Sequence, residues 1–566
     1  MKIFAPDTPI NSSTHLRLEG ISKSYPDRRV LTDITFTVSR GQRLALIGEN
    51  GVGKSTLLRI AAGVEPHDAG SVIRPGRIGL LWQEPAFALT DSIGEVINQA
   101  LDGPRAILRE FEDATVTLEK GVAGSAERYD RALEAATRHD VWDLDRRVET
   151  TLAGVGLPRL DRGRPAGDLS GGQRSRLSLA WLLLNRPDTI LLDEPTNHLD
   201  DAGVDFLSAS LANWPGPVLF ASHDRAFIDC TATGIIDLDP HPQPKAIVES
   251  AGSEGPTSGI GCTQFAGTFT DYLHARQKRR ERWQQQYENE QDQLKDLERR
   301  AQESHVVGHT GARRRTEARS AKKFYSDRNA NVVSRRVSDL NRRLEELRQN
   351  QIRKPPPPLE FQGLQVDRKS QHSTPATILV SASEAAVDGR LGPVSLTVGG
   401  NDRLLVTGPN GTGKSTLLAI LAGQLQPSAG VVNVAPTVTV GYLPQDVSLN
   451  ADLTVNHYYS SIVGAERAKK IPLDAFGLVD PRDMTRRVGT LSVGQQRRLA
   501  LATTLAPQPD LLILDEPTNH LSLALTTALE KELPNYSGAI VVASHDRWLR
   551  ESWDAQYIEL DREDEH

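Results

Sequence analysis

GENGVGKSTLL, residues 48–58, decides the fold, and the chain repeats it as GPNGTGKSTLL at 408–418. Both stretches fit GxxxxGK[ST]. Glycines let successive backbone N–H groups turn inward around phosphate oxygens, and the start of the following helix adds partial positive charge. In such a loop Lys54 and Lys414 reach the β- and γ-phosphates, and Ser55 and Ser415 ligate magnesium. Gly48, Asn50, Gly51, Gly53 and Thr56 complete one candidate ATP cradle. Gly408, Asn410, Gly411, Gly413 and Thr416 complete the other. Each loop follows an apolar run, RLALIG (43–48) or RLLVTG (403–408), and precedes an apolar helix start, the order the motif requires. The reading is an α/β chain with two phosphate-binding units.

Other segments repeat too. LSGGQRSRLSLA (169–180) recurs as LSVGQQRRLALA (491–502), TILLDEPTNHLD (189–200) as LLILDEPTNHLS (511–522), and ASHDR appears at 221–225 and 543–547. The copies are 360 positions apart at the glycine loop and 322 at the later segments, so the first half holds an insertion. It falls at about 95–145, where DGPRAILREFEDATVTLEK and SAERYDRALEAATRHD read as two polar helices, an arm. The expected division is a first ATPase domain over 1–262, a helical linker over 263–357 closed by Pro355–Pro358, and a second ATPase domain over 358–566. Successive prolines cannot continue a helix and form a stiff spacer.

Composition narrows the class. Two cysteines, Cys230 and Cys262, form no CxxC pair, which excludes a zinc ribbon or disulfide framework and fits a reducing cytoplasm. No apolar run approaches the ~18–20 residues of a membrane span. The net charge is −7, yet residues 271–354 carry 22 basic and 13 acidic side chains. Residues 304–336 alone carry nine basic and two acidic ones, including Arg313, Arg314, Arg315, Arg319, Lys322 and Lys323 beside Phe324 and Tyr325. Val333, Val337, Leu340, Leu344 and Leu347 make a heptad stripe, and Trp283, Tyr287, Leu294, Leu297 and Ala301 share a helix face. A helical hairpin, an antiparallel coiled coil, is expected, with positive charge at its tip suited to RNA phosphates and aromatics suited to bases. A solvated basic face is the competing reading.

Within each half, ILLD (190–193) and LILD (512–515) are buried-strand patterns ending in carboxylates. Asp193 and Asp515 would hold the magnesium shell, and Glu194 and Glu516 would polarise the attacking water. Gln83 and Gln445 could touch metal and water, an assignment that rests on the repeat. Glycine loop, glutamine, LSGGQ, LLDEPTNHLD and histidine together resemble the ATPase domain of the ABC superfamily across both halves. That resemblance implies a head-to-tail sandwich of the two domains within one chain, a monomer, around two ATP molecules. Lys54, Asp193 and Glu194 would face Ser492 and Gly494, while Lys414, Asp515 and Glu516 would face Ser170 and Gly172. Gly171, Gln173 and Gln495 belong to the same signature segments. His223 and His545 would sense the γ-phosphate. Tyr25 occupies the adenine-stacking position, and counting back by 360 places its partner at Ala385, with no aromatic nearby. Stacking is worth about 1 kcal/mol, so the second base is expected to be held more loosely. Asp200 closes the first HLD loop where Ser522 stands in the second, and Val493 replaces a glycine of LSGGQ.

The layout is similar to that of the ABC-F family: two ATPase domains in one chain, no membrane part, an arm in the first domain and a long helical linker. The linker text resembles actinobacterial antibiotic-resistance members. This implies a cytoplasmic, Mg²⁺-dependent ATPase that binds the 70S ribosome near rRNA and P-site tRNA, with no DNA partner, and gives resistance by ribosome protection. A housekeeping translation factor and the ATPase subunit of a macrolide-type transporter are the alternatives. Both glutamates are present, so both sites are expected to hydrolyse ATP, at unequal rates. Glu194→Gln and Glu516→Gln, made singly, should lower steady-state turnover by different factors; equal losses would show the sites equivalent.

Overall fold

The computed structural model describes residues 15–26, 28–49, 51–82, 85, 87–158, 160–197, 199–239, 241–244, 260–306, 335, 337–355, 377–409, 411–479, 483–518, 521 and 523–560. Asn50, Gln83, Asn410, Ser522, Val333 and the basic stretch with Arg313, Arg314, Arg315, Arg319, Lys322, Lys323, Phe324 and Tyr325 lie outside them.

Nine strands build the first lobe: β1 (Leu16–Tyr25), β2 (Arg28–Val38), β3 (Arg43–Ile47), β4 (Ala69–Ile73), β5 (Ile78–Leu81), β6 (Thr189–Asp193), β7 (Val218–Ala221), β8 (Gly234–Asp237) and β9 (Thr263–Phe265). Eight build the second: β10 (Ile378–Val387), β11 (Leu391–Gly399), β12 (Arg403–Thr407), β13 (Ala429–Val434), β14 (Val440–Leu443), β15 (Leu511–Asp515), β16 (Ala539–Ala543) and β17 (Gln556–Glu559). Each lobe pairs a three-stranded antiparallel sheet, β2-β1-β4 or β11-β10-β13, with a mainly parallel one, β5-β6-β7-β3-β8-β9 or β14-β15-β16-β12-β17. The central strands, such as VLFA and AIVVA, are buried throughout, as expected of parallel strands covered on both faces. Residues Thr263–Phe265 pair antiparallel with β8, so the first lobe's sheet runs past the expected boundary at 262.

The arm forms as two helices, Ile93–Glu119 and Ser125–His139. The first starts earlier than its polar stretch suggested, because Ser92 and Glu95 make a reciprocal capping box and the helix then runs through Pro104. A third helix, Leu144–Gly154, leads back to the lobe.

The linker begins with a 38-residue helix, Phe269–Val306, roughly 57 Å long at 1.5 Å per residue. A second helical run over 337–350 returns beside it. Their pairing is antiparallel: Arg348 bonds Glu298 at 2.8 Å, Gln291 bonds Gln351 at 3.2 Å, and Glu290 accepts the Ile352 N–H at 2.7 Å. Trp283 and Leu294 are buried on the facing stripe, and Val337, Leu340, Leu344 and Leu347 are half-buried. The Trp283 indole N–H donates to the Arg353 carbonyl at 2.7 Å, tying the rod's two ends at its base. Trp283→Ala removes that anchor and its packing, a local cost of about 3–5 kcal/mol. Hydrogen exchange should quicken across 283–301 and 337–353 while β6 and β15 keep their protection.

Candidate functional site

In the first lobe β6, β7 and β3 are parallel neighbours, with Asp193 and Leu46 both in register with Ala221. Their carboxyl ends are therefore level, and the three loops leaving them meet at one sheet edge, where open α/β folds bind ligands. In the second lobe Asp515 and Val406 are both in register with Ala543.

Lys54 and Lys414 begin helices right after Gly53 and Gly413, whose φ of 108° and 92° demand glycine. A Cβ on Gly53 would lie 2.7 Å from Val30, and one on Gly413 2.4 Å from the Arg390 carbonyl. The lysine ammonium groups fold back onto their loops, Lys54 to the Gly48 carbonyl at 2.7 Å and Lys414 to those of Gly408 and Pro409 at 2.8 Å. Burial lowers both pKa values, opposed by Glu194 and Glu516 respectively.

Those two glutamates share an unusual backbone. Glu194 has φ 50° and Glu516 φ 48°, left-handed conformations that cost a non-glycine residue of order 1–3 kcal/mol. The turn is held by their N–H groups, which donate to the Ala221 and Ala543 carbonyls at 2.9 Å. The carboxylates accept the His223 N–H at 3.2 Å and the His545 N–H at 3.3 Å, and the imidazole Nε2 atoms lie 3.3 and 3.6 Å away. Burial pushes both carboxyl groups up to about 8. Burial, then Lys414, pushes His545 down to about 4, so its ring is neutral at pH 7. At that value each carboxyl holds its proton at pH 7 in the nucleotide-free fold and is far more basic than a solvated carboxylate.

The neighbouring Asp193 and Asp515 are raised by burial, with the Ser55 and Ser415 hydroxyls hydrogen-bonded to them. Oδ2 of Asp515 is buried with no hydrogen-bonding partner among the described residues. No group of three His, Cys, Asp or Glu side chains able to cage a metal occurs among those residues. One carboxylate, one hydroxyl and the nearby Gln445 form an all-oxygen donor set. It suits magnesium, which takes few protein ligands and completes its shell with phosphates and water.

Both signature segments are helix starts. Ser170 and Ser492 cap the helices Gly171–Asn185 and Val493–Leu505, each in a capping box closed by Gln173 or Gln495. Gln495 also donates to Asp483 at 2.6 Å. One cavity of about 1490 Å³ joins the lobes. Its wall carries Gly51, Gly53, Lys54, Ser55, Thr56, Asp193, Glu194 and His223 with Ser170, Gly171, Gly172 and Gln173 from the first lobe. The second lobe supplies Gly411, Gly413, Lys414, Ser415, Thr416, Gln445, Asp515, Glu516 and His545 with Ser492 and Gly494. Tyr25, Gly48, Gly408 and Gln495 are not on this wall. The Tyr25 hydroxyl is bonded to Glu65, Gly48 packs against Val52 and Asp239, and Gly408 against the Leu560 carbonyl.

Strand register corrects the count that paired Tyr25 with Ala385. Ser22 lies opposite Ala69 and Ala386 opposite Ala429; Ala69 and Ala429 are 360 positions apart, Ser22 and Ala386 364. Leu31 and Leu391 both abut the glycine before the lysine, so the second hairpin is four residues shorter. Ala385 therefore stands where Ile21 does, in the core, and Tyr25 falls in the extra residues. Gly389 and Arg390 of the shorter turn line the cavity in its place.

Two arrangements escaped the sequence reading. Arg497 donates to the Gln445 carbonyl and to those of Asp515 and Glu516 at 2.6 and 2.8 Å, fastening three site segments together. Ser175 holds its place in the first copy, a difference that aligning the repeats displays. The arginines after the histidines clasp the opposite lobe: Arg225, 2% exposed, bonds Glu530 and lies 3.6 Å from Asp546. Arg547 bonds Asp205 at 2.8 Å and Arg550 bonds Asp201 at 2.6 Å.

A family model described as ABC transporter matches residues 31–197 and 391–519. The chain is 36% identical to the tylosin resistance ATP-binding protein TlrC of Streptomyces fradiae over 97% of each chain. It is 30% identical to the energy-dependent translational throttle protein EttA of Mycobacterium tuberculosis, over 94% of this chain and 88% of that one. A solved structure of an RNase-L inhibitor shares the fold with a TM-score of 0.54 at 18% identity, covering 94% of this chain and 85% of that one.

The seam also titrates. Asp224, largely buried beside Asp546, is pushed up to about 6, chiefly by burial. The folded chain keeps that proton where the unfolded chain has lost it, so stability falls as pH rises from roughly 4 to 6 and the penalty is full above 6. Asparagine caps a helix as well as aspartate does. Asp224→Asn should therefore stabilise the chain by about 1–3 kcal/mol at pH 7 and hardly at pH 4, as read from denaturant midpoints.

Proposed function

Since the chain belongs to the ABC-F family of tandem ABC ATPases, and is itself an ATPase, we propose that it closes its two lobes on a pair of ATP molecules and uses that closure to set its rod in the ribosome. The observation that carries this reading is the single cavity holding both phosphate loops, both glutamates and both signature segments. Asp200 and Asp201 of the first lobe act on the Lys414 ammonium, which supports a head-to-tail site in one monomeric chain.

In each half the lysine ammonium leaves its loop carbonyls for the phosphates, and the loop N–H groups donate to the remaining phosphate oxygens. Ser55 and Asp193 with Gln83, or Ser415 and Asp515 with Gln445, would hold Mg²⁺, which when bound would supply positive charge against that of the phosphates. Glu194 and Glu516 orient the attacking water and take its proton, while His223 and His545 hold the carboxylates at the strand ends. Ser170 and Ser492, at helix starts, bring donors to the γ-phosphate of the opposite lobe. The expected domains, 1–262, 263–357 and 358–566, divide the labour once strand Thr263–Phe265 is counted with the first: two ATPase lobes, the first with the arm, and a rod between them.

The ribosomal assignment is supported by the translational role that EttA's name states and by the basic composition of residues 304–336. Arg313, Arg314, Arg315, Arg319, Lys322 and Lys323 would meet rRNA or P-site tRNA phosphates, and Phe324 and Tyr325 would stack on bases. Antibiotic resistance by ribosome protection is favoured over a housekeeping role because the tylosin-resistance relative matches at higher identity over more of the chain. Among the described residues no helix is long and apolar enough to cross a membrane, in keeping with action in the cytoplasm.

Removing a general base costs about 10²–10⁴-fold. The Glu194→Gln, Glu516→Gln double variant should lose turnover on that scale and, in ATP, sediment with 70S ribosomes. A double variant that stays free of ribosomes would overturn the ribosomal reading. Inhibitory drug concentrations, compared with and without the gene, separate resistance from housekeeping.

A further inference from the structure

Among the rod's attachments to the first lobe is a polar cluster that also touches the phosphate loop. Asp237 ends β8 and Asp239 follows two residues on; β8 runs beside β3, whose carboxyl end feeds the Gly48–Ser55 loop. Asp239 Oδ1 accepts the Glu49 backbone N–H at 2.7 Å, inside the loop. A Cβ placed on Gly48 would stand 3.1 Å from the same oxygen. The other oxygen of Asp239 accepts the Arg276 guanidinium at 2.6 Å, and Arg276 belongs to the rod helix. One turn earlier, fully buried Tyr272 donates its hydroxyl to Asp237 Oδ2 at 2.8 Å, while Asp237 Oδ1 accepts the Asp239 N–H at 2.9 Å. One carboxylate therefore bridges the loop and the root of the rod. In the second lobe Gly408 lies against the Leu560 backbone, where a Cβ would be 2.3 Å from the carbonyl oxygen; the position that matches Asp239 by the repeat is Asp561, outside the described residues, and no helix like Phe269–Val306 among the described residues follows it.

We propose that Arg276 is a positioning residue of the first ATP site, acting through Asp239 on the Glu49 N–H, so that the rod and the first phosphate loop move as one unit. The inference rests on the reading of Gly48–Ser55 as an ATP loop, and its consequence is that the two sites differ in kind. The first is mechanically joined to the rod, and the second acts on it only through closure of the lobes. Arg276 does not line the cavity, so its effect is on loop geometry rather than on ATP itself.

The test uses full-length protein without ribosomes and reads equilibrium binding of Mg·ATP. Lys414→Ala leaves the first site to report, and Lys54→Ala leaves the second. Arg276→Gln should weaken ATP binding about 5–20-fold in the Lys414→Ala background, within the usual range of coupling between sites, and change it less than twofold in the Lys54→Ala background. Arg276→Lys, which keeps the charge but loses the fork, should recover part of the loss at the first site. Equal losses in both backgrounds, as general unfolding would give, or no loss in the first, overturn the proposal. Binding by neither parent removes the ATP reading, and this inference with it.

Discussion

The candidate site is built around a glutamate carboxyl kept buried at the end of a parallel strand, in a backbone conformation that disfavours it. Glu194 and Glu516 stand there in matching left-handed turns, each held by a carbonyl of the next strand and by the N–H of a histidine one loop away. Such a group ionises only if cations and donors surround it, and the buried lysine of the phosphate loop is one that acts on it. The same desolvation that raises the glutamate lowers the lysine. The level carboxyl ends of three neighbouring strands make this arrangement possible.

The two lobes also meet around the site. The cavity is walled by both lobes, and the seam beside it is charged. Arg225 sits almost wholly buried among Glu530, Asp546 and the Trp548 ring, while Arg547 holds Asp205 in a more open setting. Truncating one partner of a buried pair leaves a charge without compensation, a larger cost than losing an exposed one. The two clasps are thus unequal, as are the β1–β2 and β10–β11 hairpins and the Arg497 and Ser175 positions.

Much of this was legible from the chain. The phosphate loops, the Asp–Glu strand ends and the capped signature helices are local, since turn chemistry and strand pattern specify each within a dozen residues. The heptad stripe of Leu340, Leu344 and Leu347 identified the rod because a buried helix face must repeat. Contacts between residues far apart left no such trace. Nothing beside Arg276 marks Asp239 as its partner, and Arg225 reads as an ordinary residue of a short helix until Glu530 meets it. The Ala385 error has the same root: a constant offset assumes equal hairpins, and only strand register shows a four-residue difference. The arm's true start was missed because the capping box at Ser92 lies outside the polar stretch that drew attention.

The central claim is that closure on ATP fixes the rod relative to the lobes. Spin labels at Gln349 on the rod and Lys531 on the second lobe, with Cys230 and Cys262 replaced, measure it in the free protein. With Mg·ATP the Glu194→Gln, Glu516→Gln chain should show one narrow distance distribution, against a broad one without nucleotide. A distribution that ATP leaves unchanged would contradict the account.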